Sequence, residues 1–492
     1  MLKIKNKKKI YISLILITVL IIRLVFLDSD GISISLLANQ DEGNYSYNVR
    51  NAIVEETWIT DQTNFFLLTP VFSYIQFIIA SILGIHIWSL RLINIIFSLG
   101  TLALGYIFLK REFSNKVANY FLVFLGINFF YLVHNRIAIP ETTQGFFFLF
   151  TLITFYYGTK LKNLGLFLVS GLLMGLTLLT KSSASIIMPL LFFYYLFFNN
   201  LLSIRNIFLA HKLIKAIKEG SIFILGGTLP LFIWWKKLIL PNYSYFKVVK
   251  RNLIDMHRPY IKSAVIKMNY WSRELPEFIK GGEAHLWIYI PILLILFIFG
   301  LFYFLKNIKK SQKSPITIFM LWLLTGLGYF LLIDYKPARF FLINIIPLTI
   351  ISAWYLDKIK QAHIKSIILV IYSIFNGTLI SFFILYNPHF SLKQASNHLE
   401  EKIGTHTVLG GSLLHMDNEK SKVLNIYFLE GTYSHAKISE FLNDKGWPEY
   451  ILYHDKIENA LPNIPKEKYN LIETITTHQN TRKAYLYKQK EK

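Results

Sequence analysis

Cysteine is absent from the chain. Disulfides, thiol catalysis and thiolate metal sites are therefore excluded, while the compartment stays open. Acidic residues are scarce, with 29 Asp and Glu against 52 Lys and Arg in 492 residues. Charged residues of both signs reach only 16%, below the level of about a quarter seen in soluble domains. No repeat of fixed period stands out. What fills the chain instead is 53% hydrophobic and 16% aromatic residues, in repeated apolar runs of membrane-spanning length. The net charge of +23 raises the question of nucleic acid. The basic residues, however, gather in short segments between apolar runs, the pattern that orients membrane helices, and this speaks against nucleic-acid binding.

The N-terminus "MLKIKNKKKIYISLILITVLIIRLVFLD" resembles a signal peptide, but its apolar core is long and no small-residue cleavage site follows. It reads as a retained first span. Further spans are expected near 88–109, 116–134, 140–157, 164–180, 183–199, 221–240, 286–305, 315–333, 339–356 and 364–386, the first covering 10–27. The stretch "TPVFSYIQFIIASILGI" (69–85) is ambiguous, and charge decides it. If 69–85 does not cross, the clusters Lys3 to Lys9, Lys110 to Lys116, Lys160 and Lys162, Arg205 to Lys218, Lys306 to Lys313 and Lys358 to Lys365 all share the N-terminal side. The positive-inside rule makes that side cytoplasmic. The expectation is thus an all-α polytopic membrane domain of about eleven spans, with 69–85 as a juxtamembrane helix in the first external loop. From 388 the composition changes. "VLGGSLL", "NIYFL", "EYILYHD" and "KAYLYK" read as strands and "SHAKISEFLNDKG" as an amphipathic helix stopped by Gly446. The expected domains are 1–387 in the membrane and 388–492 as a small external α/β domain.

This topology puts a few charged residues on the side where the bias permits few. Asp41 and Glu42 in "NQDEGNYSYNVR" read as solvated loop acids, as a general base with its support, or as ligands of a hard cation, so a divalent metal is left open. Arg136 and Glu141 sit in the short turn "HNRIAIPETTQ", either pairing with each other or holding a polar substrate. Lys181, between two apolar runs, and Lys336 and Arg339 in "DYKPARFFLINIIP" are either interfacial anchors or cations for a lipid phosphate. His257 in "DMHRPY" reads as an ordinary loop histidine, a base or a metal ligand. Together these residues place carboxylates and cations beside lipid on one face.

In that order and spacing they resemble the integral-membrane glycosyltransferases of the GT-C fold, the protein O-mannosyltransferase and lipid A aminoarabinose transferase superfamily. "DEGNYSYNVR" is similar to its Asp-Glu-x-x-Tyr-x-x-x-x-Arg segment and "RIAIPE" to its Arg-x-Ala-x-x-Asp turn. "GLLMGLTLLTKSSASIIMPLL" is similar to its Gly-rich span ending in Leu-Thr-Lys. "YKPARFFLINIIPL" is similar to its Lys-x-x-Arg-Tyr-Leu-x-x-x-x-Pro segment, with Phe340 for Tyr. The Lys-Pro-Pro of many lipid A-modifying members is replaced by Leu68-Thr69-Pro70. The resemblance implies a polyprenyl-phosphate-linked sugar as donor, an acceptor at the outer face and inversion at the anomeric carbon. It implies Asp41 as catalytic carboxylate supported by Glu42. It implies Arg136, Lys181, Lys336 and Arg339 at the donor phosphate or the acceptor, and beside these Tyr45, Arg50, Glu141 and His257 are the candidates for substrate binding. The acceptor is left open between lipid, glycan and protein. The rival expectations are a glycan polymerase or ligase with the same kind of donor, and a non-enzymatic transporter of lipid-linked sugars.

Overall fold

Inside hydrocarbon every backbone N–H and C=O must find a partner within the chain, and the apolar runs satisfy this as helices. The computed structural model describes residues 2–29, 36–60, 64–199, 201, 210–257, 289–311, 313–332, 338–386, 390–409, 422–424, 446–454, 468–477 and 482–490. Among the described residues the helices longer than one turn are α1 (Leu2–Leu24), α2 (Leu36–Val54), α3 (Pro70–Leu83), α4 (Ile87–Glu112), α5 (Asn115–Gly126), α6 (Phe129–Asn135), α7 (Glu141–Leu161), α8 (Leu164–Thr180) and α9 (Ile187–Phe198). They continue as α10 (Ala210–Trp234), α11 (Tyr243–His257), α12 (Pro291–Lys306), α13 (Ile316–Leu332), α14 (Leu342–Lys358), α15 (Ala362–Ile380) and α16 (Ser391–Ile403).

Every segment read as a span coincides with a helix or, for 116–134, with the pair α5 and α6. Among the described residues four helices are long and apolar enough to cross a membrane: Ile87–Glu112, Lys212–Lys250, Arg339–Lys358 and Ala362–Tyr386. Asn115–Gly126 and Phe129–Asn135, bent by 62°, make a fifth when taken as one span. Other apolar helices are shorter. The 17 residues of α8 rise about 26 Å, just under a hydrocarbon core of about 30 Å. The protein is a multi-pass membrane protein, and helix length meets the expected count of about eleven crossings only in part. The 14 residues of α3 rise about 21 Å, too short to cross. Its buried Gln76 donates to Ser46 Oγ at 3.0 Å and to the Leu90 carbonyl at 2.9 Å, tying α3 to α2 and α4.

Two packing devices set the geometry near the site. Gly171 and Gly175 of α8 meet Gly226 and Gly227 of α10. A Cβ on Gly171 would strike the Phe223 carbonyl, and one on Gly226 the Leu168 carbonyl, so the backbones touch as small residues in membranes allow. Gly171 lies against Phe223 and Gly227, and Gly175 against Gly227 and Pro230. The two helices therefore run parallel and finish at the same end of the bundle. The second device is the break between α5 and α6. Asn128 caps α6 by accepting from the Tyr131 N–H at 2.9 Å, and its amide donates to Tyr372 Oη at 3.0 Å. Tyr372 Oη donates to the Phe124 carbonyl at 2.5 Å, and Asn376 Oδ1 accepts from the Phe129 N–H at 2.8 Å. Side chains of α15 thus satisfy the backbone that the bend releases.

Among the described residues the C-terminal region shows α16 with a five-stranded sheet in the order β2-β1-β3-β5-β4, where β1 is Thr407–Leu409, β2 Lys422–Leu424, β3 Tyr450–His454, β4 Tyr469–Thr477 and β5 Arg482–Gln489. β1 pairs parallel with β2 and β3, and β5 lies antiparallel between β3 and β4. β3 and β5 match "EYILYHD" and "KAYLYK", whereas α16 and β4 were not anticipated. The readings of "NIYFL" as a strand and of 434–446 as a helix lie outside the described residues. Leu399, Ile403, Val408, Leu452 and Leu486 share one buried cluster with Tyr47 and Val49 of α2, Ala80 of α3 and Leu90 of α4. The sheet module is therefore seated on the juxtamembrane helices by apolar contact.

Asn376→Ala would leave the Phe129 N–H buried without an acceptor, a loss of about 1–3 kcal/mol. The expected outcome is a lower thermal unfolding midpoint of the detergent-purified protein. A midpoint equal to wild type would show that the bend does not depend on the hydrogen bond to Asn376.

Candidate functional site

Asp41 and Glu42 are consecutive on α2 rather than in a loop. Successive helical residues point about 100° apart, so the two carboxylates part company. Glu42 is fully buried at 0% exposure. It takes a bidentate grip from Arg91 of α4, Nε to Oε1 at 2.5 Å and Nη2 to Oε2 at 2.9 Å. It also accepts from the Ala138 N–H at 2.7 Å. Arg91 donates as well to the carbonyls of Leu27 at 2.7 Å and Ser29 at 2.6 Å. One carboxylate and one guanidinium thus join the exit of α1, the start of α2, α4 and the turn before α7. A carboxylate so enclosed has no lone pair directed to a substrate; it orients α2.

Asp41 faces the other way. Its side chain keeps 23% exposure and pairs with Arg339, itself only 5% exposed. Arg339 Nε lies 3.3 Å from Glu141 Oε1. The same oxygen accepts from Lys181 Nζ at 2.5 Å. Four elements therefore converge: α2, the first residue of α7, the residue capping the end of α8, and the 3-10 turn Ala338–Phe341 before α14. Gln144, one turn into α7, holds this junction by donating to the Lys181 carbonyl at 3.3 Å and to Ser183 Oγ at 3.1 Å. Aromatic rings wall the cations. Lys181 Nζ lies 4.6 Å from the Phe340 ring centre and 5.9 Å from that of Tyr45, within cation–π range.

Two carboxylates against two cations leave the cluster near neutrality, as burial demands. Burial pulls the Lys181 ammonium below its ordinary range; Glu141 works against that shift and Arg339 with it. Burial, helped by the charges of Glu141 and Asp41, raises the Tyr45 phenol well above its usual value, so it stays protonated. Asp41 is the most open of the ionic groups in the cluster. Chemically the arrangement can take a proton or hydrogen bond at Asp41 and offer positive charge from Arg339 and Lys181 to an anion beside it.

The remaining expected site residues are placed elsewhere or lie outside the described residues. Arg136 spends its guanidinium on the carbonyls of Ile22 at 2.9 Å, Arg23 at 3.0 Å and Phe26 at 2.7 Å, closing the C-terminal end of α1. Burial and then the charge of Arg91 lower its pKa to about 9. Arg50, two turns past Asp41, is buried; it donates to Asn51 Oδ1 at 3.2 Å and lies 4.0 Å from Glu55. The Lys336 position and the His257 side chain lie outside the described residues. Sequence reasoning missed Arg91 and its neighbour Asn94, whose amide donates to the carbonyls of Ile137 at 2.5 Å and Ile139 at 2.6 Å, shaping the turn that carries Arg136 to Pro140. Both were readable as polar residues one turn apart within an apolar span. Among the described residues no group of three or more His, Cys, Asp or Glu side chains converges on a metal position.

Comparison with known proteins follows this geometry. Residues 68–234 match the model of the family described as dolichyl-phosphate-mannose-protein mannosyltransferase, a stretch that includes Arg91, Glu141 and Lys181 but neither Asp41 nor Arg339. No curated protein sequence matches the chain. Among solved structures, ArnT from Cupriavidus metallidurans in the apo state is similar at a TM-score of 0.63 and 13% identity, over 98% of each chain. The same protein bound to undecaprenyl phosphate is similar at a TM-score of 0.61 and 13% identity, over 97% of this chain and 98% of that one. The oligosaccharyltransferase of Archaeoglobus fulgidus is similar at a TM-score of 0.55 and 12% identity, over 93% of this chain and 72% of that one. The chain has the fold of the GT-C integral-membrane glycosyltransferases, and its residues 68–234 carry the pattern of the mannosyltransferase family within that fold.

Proposed function

We propose that the protein is a glycosyltransferase that moves a sugar from a polyprenyl-phosphate-linked donor to an acceptor at the extracytoplasmic face of the membrane, with inversion. The observation that carries this reading is Asp41, a part-exposed carboxylate held at the end of a membrane bundle against Arg339, with Glu141 and Lys181 behind it. The fold is also that of ArnT, whose structure holds undecaprenyl phosphate.

The mechanism follows from charge. A donor phosphate arriving beside Arg339 and Lys181 competes with Asp41 for the guanidinium and leaves that carboxylate able to accept from the acceptor's hydroxyl or amine. The acceptor atom attacks the anomeric carbon and the bond to the phosphate oxygen breaks with its electron pair. The proton passes to Asp41. The sugar carries oxocarbenium character in the transition state, as in other glycosyl transfer. Negative charge grows on the departing polyprenyl phosphate, where Arg339 and Lys181 stabilise it. Glu141 bridges the two cations and orients them. Glu42 acts through Arg91, as a positioning residue for α2. The membrane unit 1–387 carries this chemistry and 388–492 forms the external unit, with the N-terminus in the cytoplasm; the distribution of basic clusters supports this orientation.

Four outcomes are expected. In a strain lacking the protein, mass spectrometry of lipid-linked sugars and envelope glycans should show one lipid-linked sugar accumulating and one glycan product vanishing. Unchanged profiles of both would remove the transferase reading. Asp41→Asn should lower turnover by roughly 10²–10⁴-fold with membrane insertion kept. Glu42→Gln instead breaks a buried pair, costing about 3–5 kcal/mol, and should lower the midpoint together with activity. Because the chain has no cysteine, single cysteines report topology directly. Lys402→Cys should react with an impermeant maleimide in intact spheroplasts and Lys309→Cys only after permeabilisation; the reverse pattern would invert the orientation.

A further inference from the structure

Beyond Trp234, α10 continues through a π-helical turn, Trp235–Ile239, and a 3-10 turn, Leu240–Asn242, into α11. Because α10 runs parallel to α8, this extension leaves the bundle at the end where Lys181 lies. Its two sides differ sharply. Ile239 and Phe246 are buried in one cluster with Phe66 and Leu67, Val249 is buried as well, and Trp234 Nε1 donates to the Leu67 carbonyl at 2.8 Å. On the other side Trp235, Lys236, Lys237, Tyr243, Tyr245, Lys247 and Lys250 are exposed. No Asp or Glu occurs between positions 220 and 254, and among the described residues none of these four lysines forms an ion pair.

The level of this surface is set by what precedes it. Leu229, Phe232 and Ile233 are exposed apolar side chains on α10, as a lipid-facing helix requires, and the first exposed cations follow within one turn. Exposed Trp and Tyr beside Lys mark the headgroup layer. Lysine stems lie along apolar surface while their ammonium groups reach phosphate. At the site end Arg91, Lys181 and Arg339 are paired with carboxylates, whereas these four lysines face outward beside aromatic rings with no carboxylate near them in the sequence. The contact also reaches the site. Asn48 of α2 accepts from the Phe66 N–H at 3.5 Å and donates to the Trp58 carbonyl at 2.8 Å, and the Trp58 and Phe66 rings lie 5.1 Å apart. The segment that seats the extension is thus fastened to the helix that carries Asp41.

We propose that residues 235–250 form a cationic, aromatic shelf that binds the phosphate headgroups of anionic phospholipids at the site end of the bundle, and that this contact steadies α2. The binding claim rests on the membrane reading alone and not on the transfer reaction. Each lysine close to an anionic surface contributes roughly five-fold in affinity, so the four together give a readable lipid preference.

The test uses the full-length protein released from nanodiscs of phosphatidylcholine with an equal part of phosphatidylglycerol, with retained lipid counted by native mass spectrometry. Wild type should retain phosphatidylglycerol over phosphatidylcholine. The variant Lys236→Gln, Lys237→Gln, Lys247→Gln, Lys250→Gln should lose at least about five-fold of that preference, with its thermal midpoint unchanged. A variant neutralising Lys402 and Lys468 in the sheet module should keep the preference. Equal retention by wild type and the quadruple variant overturns the shelf. In a transfer assay, wild-type turnover should rise with phosphatidylglycerol and that of the quadruple variant should not. A raised acceptor KM that is identical in both lipids would assign the lysines to a phosphorylated acceptor and overturn the proposal.

Discussion

The bidentate pair between Arg91 and Glu42 is the contact on which the site end of the bundle depends. Both groups are buried, and a charge removed from water persists only when it is paired and fully hydrogen-bonded. The pair meets that demand by taking up the Ala138 N–H and the carbonyls of Leu27 and Ser29. Those partners belong to different parts of the chain, so satisfying two charges also fixes where α1 ends, how α2 lies and where the turn before α7 runs. Arg136 extends the same logic by closing α1, and Asn94 extends it by gripping the backbone of that turn.

On this frame the functional cluster is built from element ends. Glu141 opens α7, Lys181 caps α8, Arg339 sits in the turn before α14, and Asp41 comes from α2. Side chains at helix ends reach the membrane surface without dragging charge through hydrocarbon. Such an arrangement suits a reaction between a lipid-borne phosphate and a water-borne acceptor. Neutrality within the cluster lets its charges stay buried, and in the proposed reaction an arriving phosphate would shift the balance of cations away from Asp41. The sheet module joins the same region from the other side, because Leu399, Val408 and Leu486 share a buried cluster with Tyr47 and Val49 of α2.

Legibility in the sequence followed the physics of each signal. Apolar runs specify membrane helices because burying them in lipid is their dominant free-energy term, and helices stand at every expected segment. Asp41, Glu141, Lys181 and Arg339 stood out because each charge lay where the topology permits few. Glu42 and Arg136 stood out for the same reason, yet their charges are consumed within the protein, and nothing in a one-dimensional pattern separates a cation that joins the cluster from one that closes a helix. Strands β3 and β5 were visible as alternating aromatic and aliphatic residues. β4, "YNLIETITT", carries Asn, Glu and three Thr beside only three aliphatic residues, and its strand state depends on pairing with β5.

By itself the sequence determined that this is a membrane protein, which segments are apolar helices and which short list of charged residues calls for explanation, because hydrophobic length and charge bias are local properties. Only the tertiary structure decided which of those charges meet. The contact of Asp41 with Arg339 joins residues 298 positions apart in a chain of 492, and the pairing of Glu42 with Arg91 was invisible until two helices crossed. Burial then separated them, since Glu42 is enclosed while Asp41 stays part-open.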